Sequence, residues 1–126
     1  MRGLDFEYMW GLLPVLLGYV PLTLFMAFVG MVCALVLASV LAVERVFRVP
    51  VLDVFVRLFI SFFRGTPLLV QLFLFYYGLP QVLSFLGKID GVTATIMGLT
   101  LHFSAYIAES IRAAILGVDR SQWEAA

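Results

Sequence analysis

Charged side chains are confined to a few short stretches of this sequence, and residues 8–43, 65–87 and 91–108 contain no Asp, Glu, Lys or Arg. About 20 predominantly apolar residues suffice to cross a bilayer as a helix, so the pattern predicts an all-α integral membrane protein with about three transmembrane helices, over residues 21–43, 55–79 and 92–116. The first is started at Pro21 because proline fits the first turn of a helix, where its missing N–H has no partner to lose. From there to residue 43 is about 34 Å of helix, enough to span with some tilt. Residues 1–20 then form an extracytoplasmic N-terminal segment. Its part 8–18 is too short to span and is expected at the membrane interface, anchored by Tyr8, Trp10 and Tyr19.

The second run is interrupted. Arg64, Gly65 and Pro67 fall inside it, and Pro67 removes an i to i−4 hydrogen bond, so the helix should kink or open there. It ends at Gly78-Leu79-Pro80. Residues 84–91 read as a short loop, the third helix continues through Glu109 and Arg112, and 117–126 form a C-terminal segment.

Composition agrees with lipid as the solvent. Only 13% of the 126 residues are charged, against about 25% in soluble domains, which excludes a water-soluble enzyme. Eight acids balance eight bases, so there is no basic surface to hold nucleic acid. The first seven residues carry Asp5 and Glu7 against Arg2, the wrong balance for a cleaved signal, and the apolar run after them is too long for one. Cys33 is the single cysteine and forms no intramolecular disulfide. Lys and Arg accumulate on cytoplasmic flanks. With three spans, Arg45, Arg48, Arg57, Arg112 and Arg120 share one side while Arg2 and Lys88 share the other, which places the N-terminus outside and the C-terminus in the cytoplasm.

Two features suggest what the helices do to one another and to a solute. Gly30, Ala34, Ala38 and Ala42 recur every four residues on one helix face, and small residues let another backbone approach closely in lipid; Ala94 and Gly98 give a shorter version on the third helix. Arg64 carries an insertion penalty of about 2.5–3.5 kcal/mol at mid-membrane. It therefore either caps carbonyls freed by Pro67 or serves transport. His102, Tyr106 and Glu109 share a face of the third helix, with Arg112 placed to pair with Glu109. His102 either faces a translocation path or bonds locally to Thr100, Ser104 or a neighbouring helix, and Gln71 is a weaker candidate of the same kind. One His and one Cys on different spans make no metal site. No phosphate-binding loop is present, since Gly87-Lys88 is followed by Ile89.

Two stretches are more specific. Phe62-Phe63-Arg64-Gly65-Thr66-Pro67-Leu68-Leu69-Val70-Gln71-Leu72, ending in Tyr77-Gly78-Leu79-Pro80, resembles the signature of permease subunits of polar amino acid ATP-binding cassette importers, the histidine, glutamine, arginine and opine group. Ala105-Tyr106-Ile107-Ala108-Glu109-Ser110-Ile111-Arg112 and Gln122-Trp123-Glu124-Ala125-Ala126 resemble the same family in order and spacing. Within these motifs Arg64, Gly65, Thr66, Pro67, Tyr106, Glu109 and Arg112 are the structural positions.

The resemblance implies a multi-pass protein of the bacterial inner membrane. It would work with two cytoplasmic ATP-binding subunits, a second permease subunit, the same or similar, and an extracytoplasmic amino-acid-binding protein in which selectivity largely resides. ATP is used by the partner ATPase, and this chain binds no cofactor. Trp123, Glu124, Ala125 and Ala126 would open the coupling segment that fits a cleft on the ATPase. The family's motif continues beyond this point, followed by two more spans, so the sequence is expected to be a truncated or split frame, or a fragment. Ala113 stands where many relatives have Gly. The competing reading is a small autonomous multi-span protein, an exporter or regulatory subunit, oligomerising through the Gly30 to Ala42 face. An ion-coupled exporter would want a deeper acid than Glu109.

Overall fold

A computed structural model describes residues 3–126. Every regular element among them is helical: α1 (Phe6–Phe47), α2 (Pro50–Gly65), α3 (Leu68–Phe73), a π-helical turn (Leu74–Gly78), α4 (Leu79–Val82), a 3-10 turn (Ser84–Leu86), α5 (Gly91–Leu116) and α6 (Arg120–Ala125).

Helix α1 begins well before the expected start at Pro21. Asp5 caps it, accepting the Tyr8 N–H at 3.1 Å, and it runs unbroken through Pro14 and Pro21 for 42 residues. Each proline deletes one backbone bond. The two lie seven apart, so both losses fall on one face, and in lipid the remaining backbone groups have no partner better than the helix itself. The result is about 63 Å of helix, twice the roughly 30 Å hydrocarbon core. Residues 6–20 are exposed throughout, a free-standing extension beyond the packed part of the molecule. At the other end, Arg48 adopts the left-handed conformation (φ 54°) and its N–H closes the helix on Glu44 O at 2.7 Å.

Helices α1 and α5 pack side by side and parallel. Thr100 Oγ1 donates to Gly30 O at 3.5 Å, and at the far end Arg45 Nε approaches Glu109 Oε1 to 3.7 Å, so residue numbers rise together along the seam. Ala34, Ala38 and Ala42 are fully buried. A Cβ placed on Gly30 would lie 2.9 Å from Leu99 Cβ, and that atom has no torsion by which to move away. Replacing Gly30 with Leu is therefore expected to cost about 1–3 kcal/mol or more by overpacking, read as a lower unfolding midpoint in detergent. Gly18→Leu, at a site with open space around it, serves as the control and is expected to change nothing.

Two parallel neighbours require the chain between them to cross back, and α2 to α4 do so by a broken route. The span expected over 55–79, with a kink or opening at Pro67, is opened there into two legs, Pro50–Gly65 and Leu68–Val82, bent by 109° from one to the next. Proline disfavours the helical region for the residue before it, and Thr66 is extended (φ −114°, ψ 142°), as is Pro67 (ψ 141°). Despite the bend, contacts with α5 progress steadily along its length. Tyr106 Oη donates to Arg64 O, Gln71 meets His102, Leu72 and Phe75 fill the notch at Gly98, and Tyr76 and Tyr77 reach the level of Gly91 and Ala94. Ala94 and Gly98 thus serve the returning leg and not α1. By length and composition α1 and α5 each suffice to cross a membrane, and the bent pair meets the same requirement when its two legs are taken together.

Asp90 caps α5, accepting from Thr93 Oγ1 at 2.5 Å and Thr93 N at 3.2 Å; these bonds hold its carboxyl below the usual carboxylate range. The core is one cluster where three elements meet: Ala38 and Ala42 from α1, Val56, Ile60 and Phe63 from α2, Ala105 and Ala108 from α5. The outward faces carry Phe28, Val36, Phe55 and Leu58, all exposed, as a lipid-facing surface does. Helix α6 follows α5 after a short turn and is exposed on every side.

Candidate functional site

Pro67 organises the site through the bond it cannot make. Its nitrogen would have served Phe63 O, and Gln71 supplies the donor instead: Gln71 Nε2 donates to Phe63 O at 3.1 Å, to Thr66 O at 3.1 Å and to Thr66 Oγ1 at 2.7 Å. It is therefore Gln71 and not Arg64 that caps the freed carbonyl. Gln71 is 1% exposed. Because carbonyl oxygens only accept, the amide NH2 must face them and Oε1 must face His102 Nδ1 at 3.1 Å, so Nδ1 carries a proton. His102 bonds across to α3, while Thr100 and Ser104 use their hydroxyls on Gly30 O and Leu101 O. The signal was present in the sequence as a glutamine four residues after a proline, eight after the orphaned carbonyl.

In front of this node lies a cavity of about 500 Å³ where α1, α2 and α5 meet, with Arg57, Ser61, Arg64 and Gly65 on one wall, Tyr106 and Glu109 on the other, and Arg45 of α1 at its end. The Arg64 guanidinium carbon sits 5.5 Å from the Tyr106 ring centre, within cation–π range. Tyr106 Oη donates to Arg64 O at 3.2 Å. The His102 ring lies 5.0 Å from that of Tyr106, so node and cavity share a wall.

Beside the cavity an ionic cluster ties three helices together. Asp53, buried, accepts Arg45 Nη1 at 2.7 Å and Arg57 Nε at 2.7 Å, with a further bond from Arg57 Nη2. Glu109 accepts Arg112 Nε at 2.8 Å and faces Arg45 on its other oxygen. Arg45 thus links α1 to both neighbours. Glu44 is buried with neither oxygen hydrogen-bonded. The Glu109–Arg112 pair was readable from its three-residue spacing; the bonds of Arg45 needed the fold.

The structure gathers Arg64, Gly65, Tyr106 and Glu109 at the cavity, with Arg112 behind Glu109. Thr66, Pro67, Gln71 and His102 form the adjoining break. Gly30, Ala34, Ala38 and Ala42 lie in the α1–α5 seam, with Ala38 and Ala42 in the core cluster behind the cavity, beside Ile60 and Phe63. Glu124 and Ala125 lie on α6, with Trp123 62% exposed and Ala126 just beyond. Among the described residues no cluster of His, Cys, Asp or Glu is arranged to hold a metal ion.

Residues 30–126 match the family described as binding-protein-dependent transport system inner membrane component. The chain belongs to this family. It is thus an all-helical inner-membrane component of transport systems and not an enzyme. Among its relatives is the probable amino-acid ABC transporter permease protein PatM of Vibrio harveyi, 62% identical over 98% of this chain and 55% of the relative. Another is the probable amino-acid permease protein YxeN of Bacillus subtilis, 46% identical over 99% of this chain and 56% of the relative. A solved structure described as an amino acid ABC transporter with histidines superposes with a TM-score of 0.83 at 34% identity, covering 99% of this chain and 57% of that one. The chain spans about half the length of the curated relatives it matches.

Proposed function

We propose that this chain is part of the permease subunit of an ATP-driven amino acid importer, contributing one wall of the translocation path and the start of the ATPase-docking surface. The observation that carries this reading is the identity with amino-acid permeases along nearly the whole chain. The partners are cytoplasmic ATP-binding subunits, a second permease subunit of the same or similar kind, and an extracytoplasmic amino-acid-binding protein. ATP is bound and spent by the ATP-binding subunits.

The N-terminus lies outside and α6 in the cytoplasm. The excess of Lys and Arg on the α1–α2 connection and beyond α5 supports this orientation, and the parallel run of α1 and α5 fits those two flanks lying on one side. On α2 the row Arg57, Ser61, Arg64 recurs at helical spacing on a face that also borders α5. Polar side chains within spans face wet cavities or protein interiors, so this face is read as path lining, with Arg57 and Arg64 both exposed along it. Gln71 and His102 stand behind it and hold the break open. Trp123, Glu124, Ala125 and Ala126 begin the coupling segment, and their exposure on and just beyond a separate short helix suits a docking tip.

The test is co-expression of the complete subunit with its ATPase. Wild type is expected to co-purify with the ATPase, and Glu124→Lys to lose most of it while still inserting. Undiminished co-purification of the variant would remove α6 from the interface, and a wild-type subunit purifying only as an oligomer of itself would sink the importer reading.

A further inference from the structure

We propose that the trough between α3, with its π-helical turn, and the first turns of α5 holds an acyl chain of an anionic phospholipid, with Lys88 receiving the phosphate. Two cavities make up the trough. One, of about 240 Å³, has Leu69, Leu72 and Phe73 on one side and Ala94 and Thr95 on the other. The second, of about 260 Å³, is bordered by Pro80, Lys88 and Ile89. Tyr76 and Tyr77 line both cavities and join them. These tyrosines belong to the turn Leu74–Gly78. A π-helical turn closes bonds from i to i+5, so successive residues rotate less than in an α-helix, and two neighbours can reach the same side. Their rings lie 4.7 Å apart and nearly perpendicular, with Tyr77 against Phe73 at 5.9 Å.

The chemistry changes along the trough as it does along a lipid. From Leu69 to Tyr77 is about 12 Å of helix, most of one leaflet's share of a hydrocarbon core about 30 Å thick. The Thr95 hydroxyl in this stretch is spent on Gly91 O at 2.7 Å, so the deep part offers apolar contact. The other end is cationic. Lys88 is exposed and makes no ion pair among the described residues, and Asp90, two residues on, commits both carboxylate oxygens to Thr93. The exposed Tyr76 and Tyr77 bring phenolic hydroxyls to the same end. Tyrosine and lysine are at home at the headgroup level, and a phosphodiester supplies the charge and the acceptors that these donors lack. A soluble anion would meet Lys88 but leave the apolar part unfilled, and a zwitterionic lipid brings no net charge to offset the ammonium. The trough serves the leaflet at whose surface α5 begins. Only the naming of that leaflet as the outer one rests on the orientation proposed above.

The test places the complete subunit, co-expressed with its ATPase, in phosphatidylcholine nanodiscs doped with phosphatidylglycerol or phosphatidylcholine carrying a photoreactive group on the acyl chain, and locates adducts by peptide mass spectrometry. Phosphatidylglycerol is expected to label the stretch from Phe73 to Tyr77 about five-fold more than phosphatidylcholine, the effect of one lysine on an anionic lipid. Lys88→Ala should abolish that preference and Lys88→Arg should keep it, while the exposed Phe28 and Val36 of α1 label alike with both lipids throughout. Equal labelling of the trough by the two lipids would overturn the proposal, as would a preference that survives Lys88→Ala. Absence of label from either lipid would show that protein fills the trough in the assembled complex and also overturn it. Loss of the preference on adding millimolar inorganic phosphate would assign Lys88 to a soluble anion, with the same consequence. A reversed topology breaks the proposed orientation and leaves this site standing; lipid-indifferent labelling in a complex of the proposed orientation breaks only this inference.

Discussion

Asp53→Ala is expected to be the most damaging single change in the protein. It strips the carboxylate from two arginines at once, and Arg45 is itself largely buried, with 13% of its side chain exposed. Breaking a largely buried pair by removing one partner costs more than the pair contributes, because the remaining charge stays where water solvates it poorly. Here the leftover charge sits at the junction of α1, α2 and α5, so all three lose their register together. The monodisperse fraction surviving a heating step in detergent should fall several-fold. Asp53→Leu combined with Arg57→Leu should recover part of the loss, since cation and anion are then removed together and Arg45 keeps Glu109. A single variant as heat-resistant as wild type would show that Asp53 holds nothing together.

Gln71→Leu is expected to come next. The substitution nearly preserves volume but leaves Phe63 O and Thr66 O without their donor and the His102 Nδ1–H without its acceptor. Each buried polar group left unpaired costs about 1–3 kcal/mol. Hydrogen exchange should rise across α3 and at the Thr66-Pro67 break, while α1 stays protected. His102→Phe should be milder, because the donors of Gln71 to the freed carbonyl remain. Exchange in α3 unchanged by Gln71→Leu would mean that the bend is held by packing alone, through Phe63 and its neighbours Phe59 and Phe75.

These two residues mark the boundary of what the sequence could tell. Helical class, apolar runs and the seam of small residues are written locally: hydropathy needs no neighbour in space, and a four-residue spacing fixes a face whatever packs on it. The Glu109–Arg112 pair is local too. Helix α1 starts before Pro21 because proline, a boundary signal in sequence, costs a long apolar helix in lipid only two missing bonds on one side. The 109° bend, the capture of Phe63 O by Gln71, and the joining of Arg45 to Asp53 and Glu109 depend on how separate elements meet. No periodicity announces them, although the proline and the glutamine four residues later were both in view.

In the topology we propose, the chain enters from outside, crosses, returns through a broken leg, and delivers α6 to the cytoplasm to meet an ATP-binding subunit. Single cysteines at Gly3 and at Ser121, in a background with Cys33→Ser, can be labelled with a membrane-impermeant maleimide in right-side-out cells and in inverted vesicles. The account predicts that position 3 reacts only from outside and position 121 only in inverted vesicles. Labelling of position 121 in intact cells, or of both positions from the same side, would contradict it.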